Sequence, residues 1–385
     1  MKIVNVVGAR PQFIKYFPVS KAIENYNGEK HSGGIVKDVL IHTGQHYDYN
    51  MSKIFFDELG IKEPEYHLGI GSGAHGEQTG QIIQKVETVL NKEIPDVILV
   101  YGDTNSTLGA ALAAAKIHVP VAHVEAGLRS FNKYVPEEIN RILTDHLSTL
   151  LFCPSETAVK NLRSDGYKNV LNNGELESLD KLLQNHESKS INVDKNNPLI
   201  INVGDVMFDV LIYAVDIVKN SDNVLGKFQF ADKDYNLLTI HRTESTDNLD
   251  KLHEIIDFVN NASTDMQVIF PMHPRTKKVY GNAKVKFSSN VRIIEPVSYF
   301  DLLMLLKNSV LVMTDSGGMQ KEAYWLKIPC VTLRDETEWI ETIQSGWNVL
   351  YKNYKGIVSP PIENNPCYGD GKASDRIVNV LKTYC

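Results

Sequence analysis

Residues 97–104 read Val97-Ile98-Leu99-Val100-Tyr101-Gly102-Asp103-Thr104, and the fold class follows from the pattern that this segment shares with others along the chain. A continuous apolar run that ends in glycine and polar residues is typical of a strand buried on both faces of a parallel sheet. Similar runs alternate with helix-length segments, such as 77–90, 106–117 and 249–260, along the whole chain. This alternation predicts an α/β protein, and about twelve strands predict two sheets. We predict strands at 2–7, 38–42, 96–101, 119–124, 149–153, 199–203, 235–240, 267–271, 291–295, 310–314, 329–333 and 347–350.

The length of 385 residues favours two domains. We place their boundary between residues 204 and 205, where the apolar run 200–203 gives way to Gly204-Asp205. Residues 165–198 are unusually polar, and we interpret them as a surface excursion. Their only amphipathic patch is formed by Leu176, Leu179, Leu182 and Leu183.

The composition excludes several classes of protein. Hydrophobic residues make up 43% of the chain and charged residues 23%, which is the balance of a globular protein rather than of a disordered or fibrous one. The 40 Lys and Arg residues against 47 Asp and Glu give a net charge of −7, so general binding to nucleic acid or to an anionic membrane is not expected. An anionic ligand therefore needs a local cluster of positive groups.

The cysteines and the apolar segments indicate the cellular compartment. Cys153, Cys330, Cys367 and Cys385 form no CxxC pair and no metal-ligand spacing, so we expect neither a structural zinc site nor a disulfide framework. Charged residues follow the first strand too soon for a signal sequence, and no uncharged apolar stretch of ~18 residues is present. These features predict a soluble cytoplasmic protein.

Polar and charged residues cluster just after the predicted strands. In open α/β sheets the ligand crevice lies outside the carboxyl ends of the strands, so two such domains facing each other would place these groups around one cleft. Polar residues also end strands for purely structural reasons, and that alternative stays open. The clustered residues are Arg10, Gln45, His46, Asp103, Glu125, His241, Arg242, His273, Asp315 and Ser316.

Two strand-to-helix turns are candidates for binding an anion. The turn 8–12 lacks the GxGxxG fingerprint, which disfavours NAD, but Arg10 and Lys15 could hold a phosphate at the helix start or could be ordinary surface cations. At the second turn, Ser316, Gly317 and Gly318 would present free N–H groups without side-chain obstruction. Glu322, one helical turn further on, could accept hydrogen bonds from ribose hydroxyls. Plain glycine-assisted packing is the structural alternative.

Three carboxylates are candidates for acid/base chemistry, each with a structural alternative. Asp103 could simply cap the next helix. Glu125 follows a buried run, which would raise its pKa towards a range useful for proton transfer unless a cation such as Arg129 pairs with it. Glu137 opens a helix, where acids are favoured by the helix dipole without any other function. His241 and Arg242 could likewise form a structural pair.

At these residues the sequence closely resembles the non-hydrolysing UDP-N-acetylglucosamine 2-epimerase family. Two of the shared motifs read His123-Val124-Glu125-Ala126-Gly127-Leu128-Arg129 and Pro136-Glu137-Glu138-Ile139-Asn140-Arg141. The others lie at 8–15, 43–46, 101–104, 241–242, 314–318, 333–335 and 368–371, so the resemblance extends over nearly the whole chain.

The resemblance implies a glycosyltransferase-B-like fold, in which two Rossmann-like domains with parallel sheets face a central cleft. It also implies that the C-terminal segment returns to the first domain, which would then comprise 1–204 and 366–385 and leave 205–365 as the UDP-binding domain. Family members are commonly homodimers.

The implied reaction inverts C2 of UDP-GlcNAc to give UDP-ManNAc. UDP is eliminated to leave a 2-acetamidoglucal and is then added back, without any cofactor. By resemblance, the catalytic residues are Asp103, Glu125, Glu137 and His241. The implied substrate-binding residues are Arg10, Lys15, Gln45, His46, Arg242, His273, Ser316, Gly317, Gly318 and Glu322.

Departures from the family pattern leave the substrate open. Ala9 and Gln12 replace the usual Thr and Glu, and this variant, together with 129–132 and 337–339, also resembles 2-epimerases of UDP-2,3-diacetamido-2,3-dideoxyglucuronate. The segment 47–50 differs from the version that supports activation by a second UDP-GlcNAc. A glycosyltransferase of the same architecture, a hydrolysing 2-epimerase and an inactive nucleotide-sugar sensor are the remaining alternatives, because fold alone does not determine chemistry.

Overall fold

The computed structural model describes residues 1–29, 34–45, 60–171, 175–176, 179–181, 193–194, 196–218, 226, 232–246, 248–272, 274–282, 286–358 and 367–384. The chain forms two compact units. The first comprises Met1–Val210 with Pro366–Cys385, and the second comprises Leu211–Asn365. The division falls inside the helix Val206–Val218, a few residues beyond the boundary that the sequence pattern suggested. Within the described part of the chain, no helix is both long and apolar enough to cross a bilayer.

The first unit contains a seven-stranded sheet in the order β3-β2-β1-β4-β5-β6-β7, in which every pairing is parallel. Its strands are β1 (Lys2–Val7), β2 (Lys37–His42), β3 (Tyr66–His67), β4 (Val97–Tyr101), β5 (Val121–Val124), β6 (Leu150–Cys153) and β7 (Leu199–Asn202). The helices are α1 (Arg10–Gly28), α2 (His75–Glu93), α3 (Asn105–Lys116), α4 (Pro136–Leu147), α5 (Glu156–Ser164) and α6 (Val206–Val218), the last of which continues into the second unit.

The second unit contains a six-stranded parallel sheet in the order β10-β9-β8-β11-β12-β13. Its strands are β8 (Tyr235–Thr239), β9 (Gln267–Pro271), β10 (Val291–Ile294), β11 (Val312–Thr314), β12 (Cys330–Thr332) and β13 (Asn348–Leu350). The helices are α7 (Thr243–Thr246), α8 (Leu249–Ala262), α9 (Pro274–Asn282), α10 (Tyr299–Lys307), α11 (Gly317–Leu326) and α12 (Ile340–Gln344). The predicted α/β class with two parallel sheets is confirmed. Strand β3 was not predicted, because two residues at a sheet edge produce no apolar run.

Each sheet reverses its strand order next to its first strand. In the first unit β1 lies between β2 and β4, and in the second β8 lies between β9 and β11. Connections leave such a point in opposite directions, so a crevice opens at the carboxyl ends of the two neighbouring strands. The segments that follow β1, β4, β8 and β11 carry many of the residues singled out from sequence.

The C-terminal helix α13 (Ala373–Tyr384) packs against the first unit. Asp209 accepts the backbone N–H groups of Ala373 at 3.2 Å and Ser374 at 2.7 Å, which caps the start of this helix. Burial raises the pKa of the Asp209 carboxyl to about 6. Arg376 forms ion pairs with Asp180 and Asp370, each at 2.7–2.8 Å. The helix is therefore held by hydrogen bonds and charges as well as by apolar packing.

The stretch interpreted as a surface excursion also contributes to this packing. Asp180, one of the partners of Arg376, belongs to it, and Leu171 and Leu179 are buried. The interpretation as a surface excursion is therefore wrong at Leu171 and Leu179, which add to the core of the first unit, whereas the Asp180 side chain is 40% exposed.

Helices α2 and α3 pack closely because α3 carries a glycine at the contact. A Cβ added to Gly109 would lie 2.7 Å from Cγ2 of the buried Ile82 on α2. Gly80, on α2 itself, has no atom within 4 Å of such a position. A methyl group would therefore clash at position 109, whereas position 80 has space for one.

We expect Gly109→Ala to lower the free energy of unfolding by about 1–3 kcal/mol, because the new methyl group would displace Ile82. Gly80→Ala is the matched control and is expected to raise it by up to about 1 kcal/mol, because alanine costs less helix entropy than glycine. Urea denaturation followed by circular dichroism measures both variants. Equal midpoints for the two variants would contradict the close approach of α2 and α3.

Candidate functional site

The turn between β1 and α1 is held by Gln12. Its side-chain oxygen accepts the N–H groups of Gly8 at 2.8 Å and Ala9 at 3.1 Å, and its amide nitrogen donates to the Tyr101 carbonyl at 2.8 Å. A Cβ at Gly8 would overlap the hydroxyl oxygens of Ser106 and Thr43, so only glycine fits there. Gln12, which replaces the glutamate usual in the family, therefore joins the ends of β1 and β4. The contact with the Tyr101 carbonyl needs the N–H donor of the amide, which a glutamate carboxylate lacks.

Glu125 is buried and forms an ion pair with Lys15 of α1. Its backbone has a φ of 75°, in the left-handed region that is uncommon for a glutamate. A Cβ at Gly102 would lie 3.0 Å from the Lys15 Nζ and 3.3 Å from Glu125 Oε2, so the pair sits directly over this glycine. The suggested pairing of Glu125 with Arg129 is wrong. Lys15, expected to bind phosphate, is instead in contact with a carboxylate here.

Asp103 lies next to Gly102 and pairs with Arg141 of α4. It does not cap α3, because that position belongs to Thr104, whose hydroxyl accepts the N–H of Thr107. The Asp103 side chain is about one-third exposed, at 32%, so it combines a cationic partner with access to solvent. Asp103 and Glu125 thus follow the adjacent strands β4 and β5, and each carboxylate is held by a cation.

The two acidic residues at the start of α4 have different surroundings. Glu137 is exposed, whereas Glu138 is buried and accepts hydrogen bonds from Arg141 at 3.0 Å and from the backbone N–H groups of Ser130 and Phe131. Glu138 therefore has a structural role in holding Arg141 beside Asp103. Of the two, only Glu137 is open to a ligand.

Gln45 and Arg10 are the other predicted residues of the first unit with described positions, and both follow strands of its sheet. Gln45 accepts hydrogen bonds from the backbone N–H of Ser106 at 2.9 Å and from its hydroxyl at 2.6 Å, so it is attached to the start of α3. Arg10 is half-buried at the start of α1. His46 lies outside the described residues, as does His273 of the second unit.

In the second unit, the fully buried Asp315 organises the turn after β8. It accepts the backbone N–H groups of His241 at 3.0 Å and Arg242 at 2.9 Å, and it faces the His241 Nδ1 at 3.2 Å. Burial alone would raise the pKa of Asp315, but the hydrogen bond and charge of His241 and the two backbone N–H groups outweigh it and hold this pKa below its ordinary value. The His241 side chain remains about half exposed, at 47%.

Helix α11 begins at the predicted anion-binding turn. Ser316 caps it by accepting the N–H of Met319 at 3.4 Å. A Cβ at Gly317 would lie 2.8 Å from the Trp339 Nε1 and 2.9 Å from Glu338 Oε1, whereas at Gly318 the nearest atom would be 3.9 Å away. Close packing thus requires glycine at position 317, whereas position 318 has space for a methyl group.

Glu338, which sequence reasoning did not assign to the site, connects Arg242 to this helix start. Glu338 lies 3.5 Å from the Arg242 guanidinium and 2.9 Å from that of Arg334. Glu322, expected to bind ribose, is buried and accepts a hydrogen bond from the Tyr299 hydroxyl at 2.9 Å. The second unit therefore gathers two arginines, a half-exposed histidine and a helix N-terminus, which together favour an anion.

Among the residues with described positions, no group of three or more His, Cys, Asp or Glu side chains is arranged to hold a metal ion. The described side chains at the strand ends include carboxylates paired with cations in the first unit and arginines near a helix start in the second.

Comparisons with known proteins identify the family of this chain. A family model for UDP-N-acetylglucosamine 2-epimerase matches residues 30–382. The chain is 45% identical to a UDP-N-acetylglucosamine 2-epimerase homolog of Methanococcus maripaludis and 41% identical to the UDP-2,3-diacetamido-2,3-dideoxy-D-glucuronate 2-epimerase of Pseudomonas aeruginosa, with 99% of each chain covered in both cases.

A solved structure of similar fold is that of the Methanocaldococcus jannaschii UDP-GlcNAc 2-epimerase in complex with UDP-GlcNAc and UDP. It has a TM-score of 0.81 and 40% sequence identity, and 99% of each chain is covered. The matched motifs, the identity over almost the full length and the shared pair of parallel sheets lead to one conclusion: the chain is a member of the UDP-N-acetylglucosamine 2-epimerase family.

Proposed function

We propose that this protein inverts C2 of a UDP-N-acetylhexosamine and thereby interconverts UDP-GlcNAc and UDP-ManNAc. The observation that carries the proposal is the pair of carboxylates after the adjacent strands β4 and β5. Asp103 is paired with Arg141, and Glu125 with Lys15. Acid/base catalysis on the two faces of a sugar ring needs such groups close together.

The chemistry of the substrate explains why several charged groups are required. The C2–H bond is not adjacent to a carbonyl, so removing its proton alone would leave a free carbanion of very high energy. In the proposed route a carboxylate takes this proton while the C1–O bond breaks and its electron pair leaves with the diphosphate. The C–H electrons form the C1=C2 bond of a 2-acetamidoglucal. In the return step a UDP oxygen attacks C1, and C2 accepts a proton on the opposite face.

The first unit supplies the proton-transfer groups in this proposal. Asp103, Glu125 and Glu137 are the acid/base candidates. A lysine ammonium has three N–H donors, so Lys15 can contact Glu125 and a phosphate oxygen of the departing diphosphate at the same time. Arg10 adds positive charge at the start of α1, and we assign Gln45 and His46 to substrate binding.

The second unit supplies the anion-binding groups. Arg242 and the N–H groups at Ser316, Gly317 and Gly318 would stabilise the charge that develops on the diphosphate. Glu322 would hold the ribose. His241, oriented by Asp315, would contact the diphosphate or assist proton transfer, and His273 completes the substrate-binding set.

A second candidate substrate is UDP-2,3-diacetamido-2,3-dideoxyglucuronate. It is supported by the 41% identity to the Pseudomonas aeruginosa enzyme, which is close to the 40% identity to the Methanocaldococcus jannaschii enzyme. The two substrates share UDP and the acetamido group at C2, so the same elimination would serve both. They differ at C3, and at C6 only the uronate carries a carboxylate, so direct comparison of the two distinguishes them.

The proposal also includes a homodimer acting in the cytoplasm. The dimer follows from the family resemblance, and a reducing compartment is consistent with the buried, unpaired thiols of Cys153 and Cys330. Light scattering on the purified protein would give the mass in solution.

Incubation with UDP-GlcNAc in heavy water should place deuterium at C2 and produce the manno epimer without any added cofactor. Proton NMR measures both changes. Exchange with only the diacetamido-uronate would select the second substrate. Release of free ManNAc and UDP would indicate a hydrolysing enzyme, and sugar transfer only in the presence of an acceptor would contradict the epimerase proposal.

Asp103→Asn and Glu125→Gln should each lower kcat at least about 100-fold while UDP binding is retained, because a positioned acid or base typically contributes 10²–10⁴-fold. Glu156→Gln, whose side chain is exposed on α5, is the control and should leave kcat unchanged. Turnover assays and calorimetry with UDP separate the two effects. Wild-type turnover in either variant would remove that residue from the acid/base set.

Gly317→Ala should weaken UDP binding at least about tenfold, because the added methyl group would displace Trp339 and Glu338 and with them Arg242. Gly318→Ala is the matched variant one residue later and has space for the methyl group, so a smaller change is expected. Calorimetric titration with UDP gives both dissociation constants. Equal affinities in the two variants would show that the packing of Gly317 does not support the nucleotide site.

A further inference from the structure

His123 connects the two turns that carry the candidate acid/base residues. It lies on β5 and is completely buried. Its Nε2 is 2.7 Å from the Gly102 carbonyl oxygen, and its Nδ1 is 2.7 Å from Asp145 Oδ1 on α4. The sequence pattern places His123 in a predicted strand and in a family motif but indicates no role for its side chain.

The partners of His123 determine where its protons are. A carbonyl oxygen carries no hydrogen, so Nε2 must be the donor in the contact with Gly102. Asp145 accepts on its other oxygen from the Arg129 guanidinium at 2.7 Å and from the Gly127 N–H at 3.2 Å. These two donors favour the ionised carboxylate, which has no hydrogen to give, so Nδ1 must donate as well.

The surrounding charges fit a cationic His123. Arg129 also pairs with Asp165, at 2.7 Å, so an imidazolium and a guanidinium face two carboxylates and the group is neutral overall. A buried charge is tolerated when it is paired and hydrogen-bonded in this way. Burial alone would raise the pKa of Asp145, but the hydrogen bonds and charges of His123 and Arg129 outweigh it and hold this pKa below its ordinary value.

The contacts of His123 lie next to both reactive carboxylates. Gly102 has a φ of 63°, and its N–H donates to the Val124 carbonyl at 3.0 Å, so β5 holds both polar groups of this residue immediately before Asp103. Asp145, the partner of His123 Nδ1, accepts a hydrogen bond from the N–H of Gly127, which lies two residues after Glu125. The connection from Gly102 through His123 and Asp145 to Gly127 therefore joins the two turns.

We propose that His123 is a doubly protonated positioning residue, which with Asp145 keeps the turns bearing Asp103 and Glu125 in the orientation that turnover requires. The protonation state follows from the contacts alone. The effect on turnover rests on the proposed epimerase function. The alternative is a neutral imidazole facing a protonated Asp145, which the two other donors to Asp145 oppose.

Neutron diffraction from crystals of the deuterated wild-type protein tests the protonation state without any variant. We expect deuterium on both ring nitrogens of His123 and none on Asp145. A single deuterated ring nitrogen, or deuterium on Asp145, would overturn the assignment, whatever substrate the enzyme uses.

The positioning role is tested with Asp145→Asn and its matched control Asp165→Asn, because each removes one carboxylate from Arg129 and only the first also changes the contact with His123. We expect Asp145→Asn to lower kcat about 100-fold, the cost of a displacement of about 1 Å in catalytic groups. Its KM should stay within about threefold of wild type, because substrate binding is not the function lost. Asp165→Asn should retain wild-type kcat.

Equal kcat in the two variants would refute the positioning role. If Asp145→Asn does not fold, His123→Gln and His123→Leu answer the same question, because only glutamine retains an N–H donor for the Gly102 carbonyl. Higher kcat in His123→Gln than in His123→Leu supports the proposal, and equal kcat contradicts it. Wild-type protein that epimerises neither substrate would refute the proposed function and leave the neutron result unaffected.

Discussion

Glu125 is a carboxylate in a buried position, and the structure around it depends on the Lys15 ammonium that pairs with it. An unpaired ionised carboxylate would be too costly there, so α1 must bring a cation to the end of β5. The pair lies directly over Gly102, where any side chain would crowd it. The bare glycine turn, the left-handed backbone of Glu125 and the position of α1 are therefore parts of one arrangement.

The same principle recurs in both units. Asp145 in the first and Asp315 in the second are fully buried, and each lies among hydrogen-bond donors that keep its pKa low despite burial. Asp145 accepts one backbone N–H of a turn and Asp315 accepts two, and each faces a histidine ring nitrogen. A buried aspartate thus serves as an anchor in both units, whereas Asp103 and His241, two of the residues proposed to meet the substrate, remain partly exposed.

The two units also carry different chemical groups at the ends of their strands. The first unit carries carboxylates with cationic partners, which move the protons in the proposed function. The second carries a helix N-terminus with Arg242 and Arg334 nearby, which hold the diphosphate in the same proposal. An elimination of UDP needs both, because the proton and the leaving group depart from adjacent carbons.

The α/β class and almost all of the strands could be predicted from the sequence, because buried parallel strands produce apolar runs and polar residues gather at their ends. The motifs at those ends also indicated membership of the UDP-N-acetylglucosamine 2-epimerase family. The sequence did not show which side chains form ion pairs and hydrogen bonds with one another. Lys15 rather than Arg129 pairs with Glu125, Thr104 rather than Asp103 caps α3, and His123 joins two turns although it reads as an ordinary strand residue. Lys15 and Glu125 are 110 positions apart, and only the order and register of the parallel sheet bring them together. Local patterns report burial and backbone preference, whereas a charge pair depends on which distant segments become neighbours, and tertiary structure alone decides that.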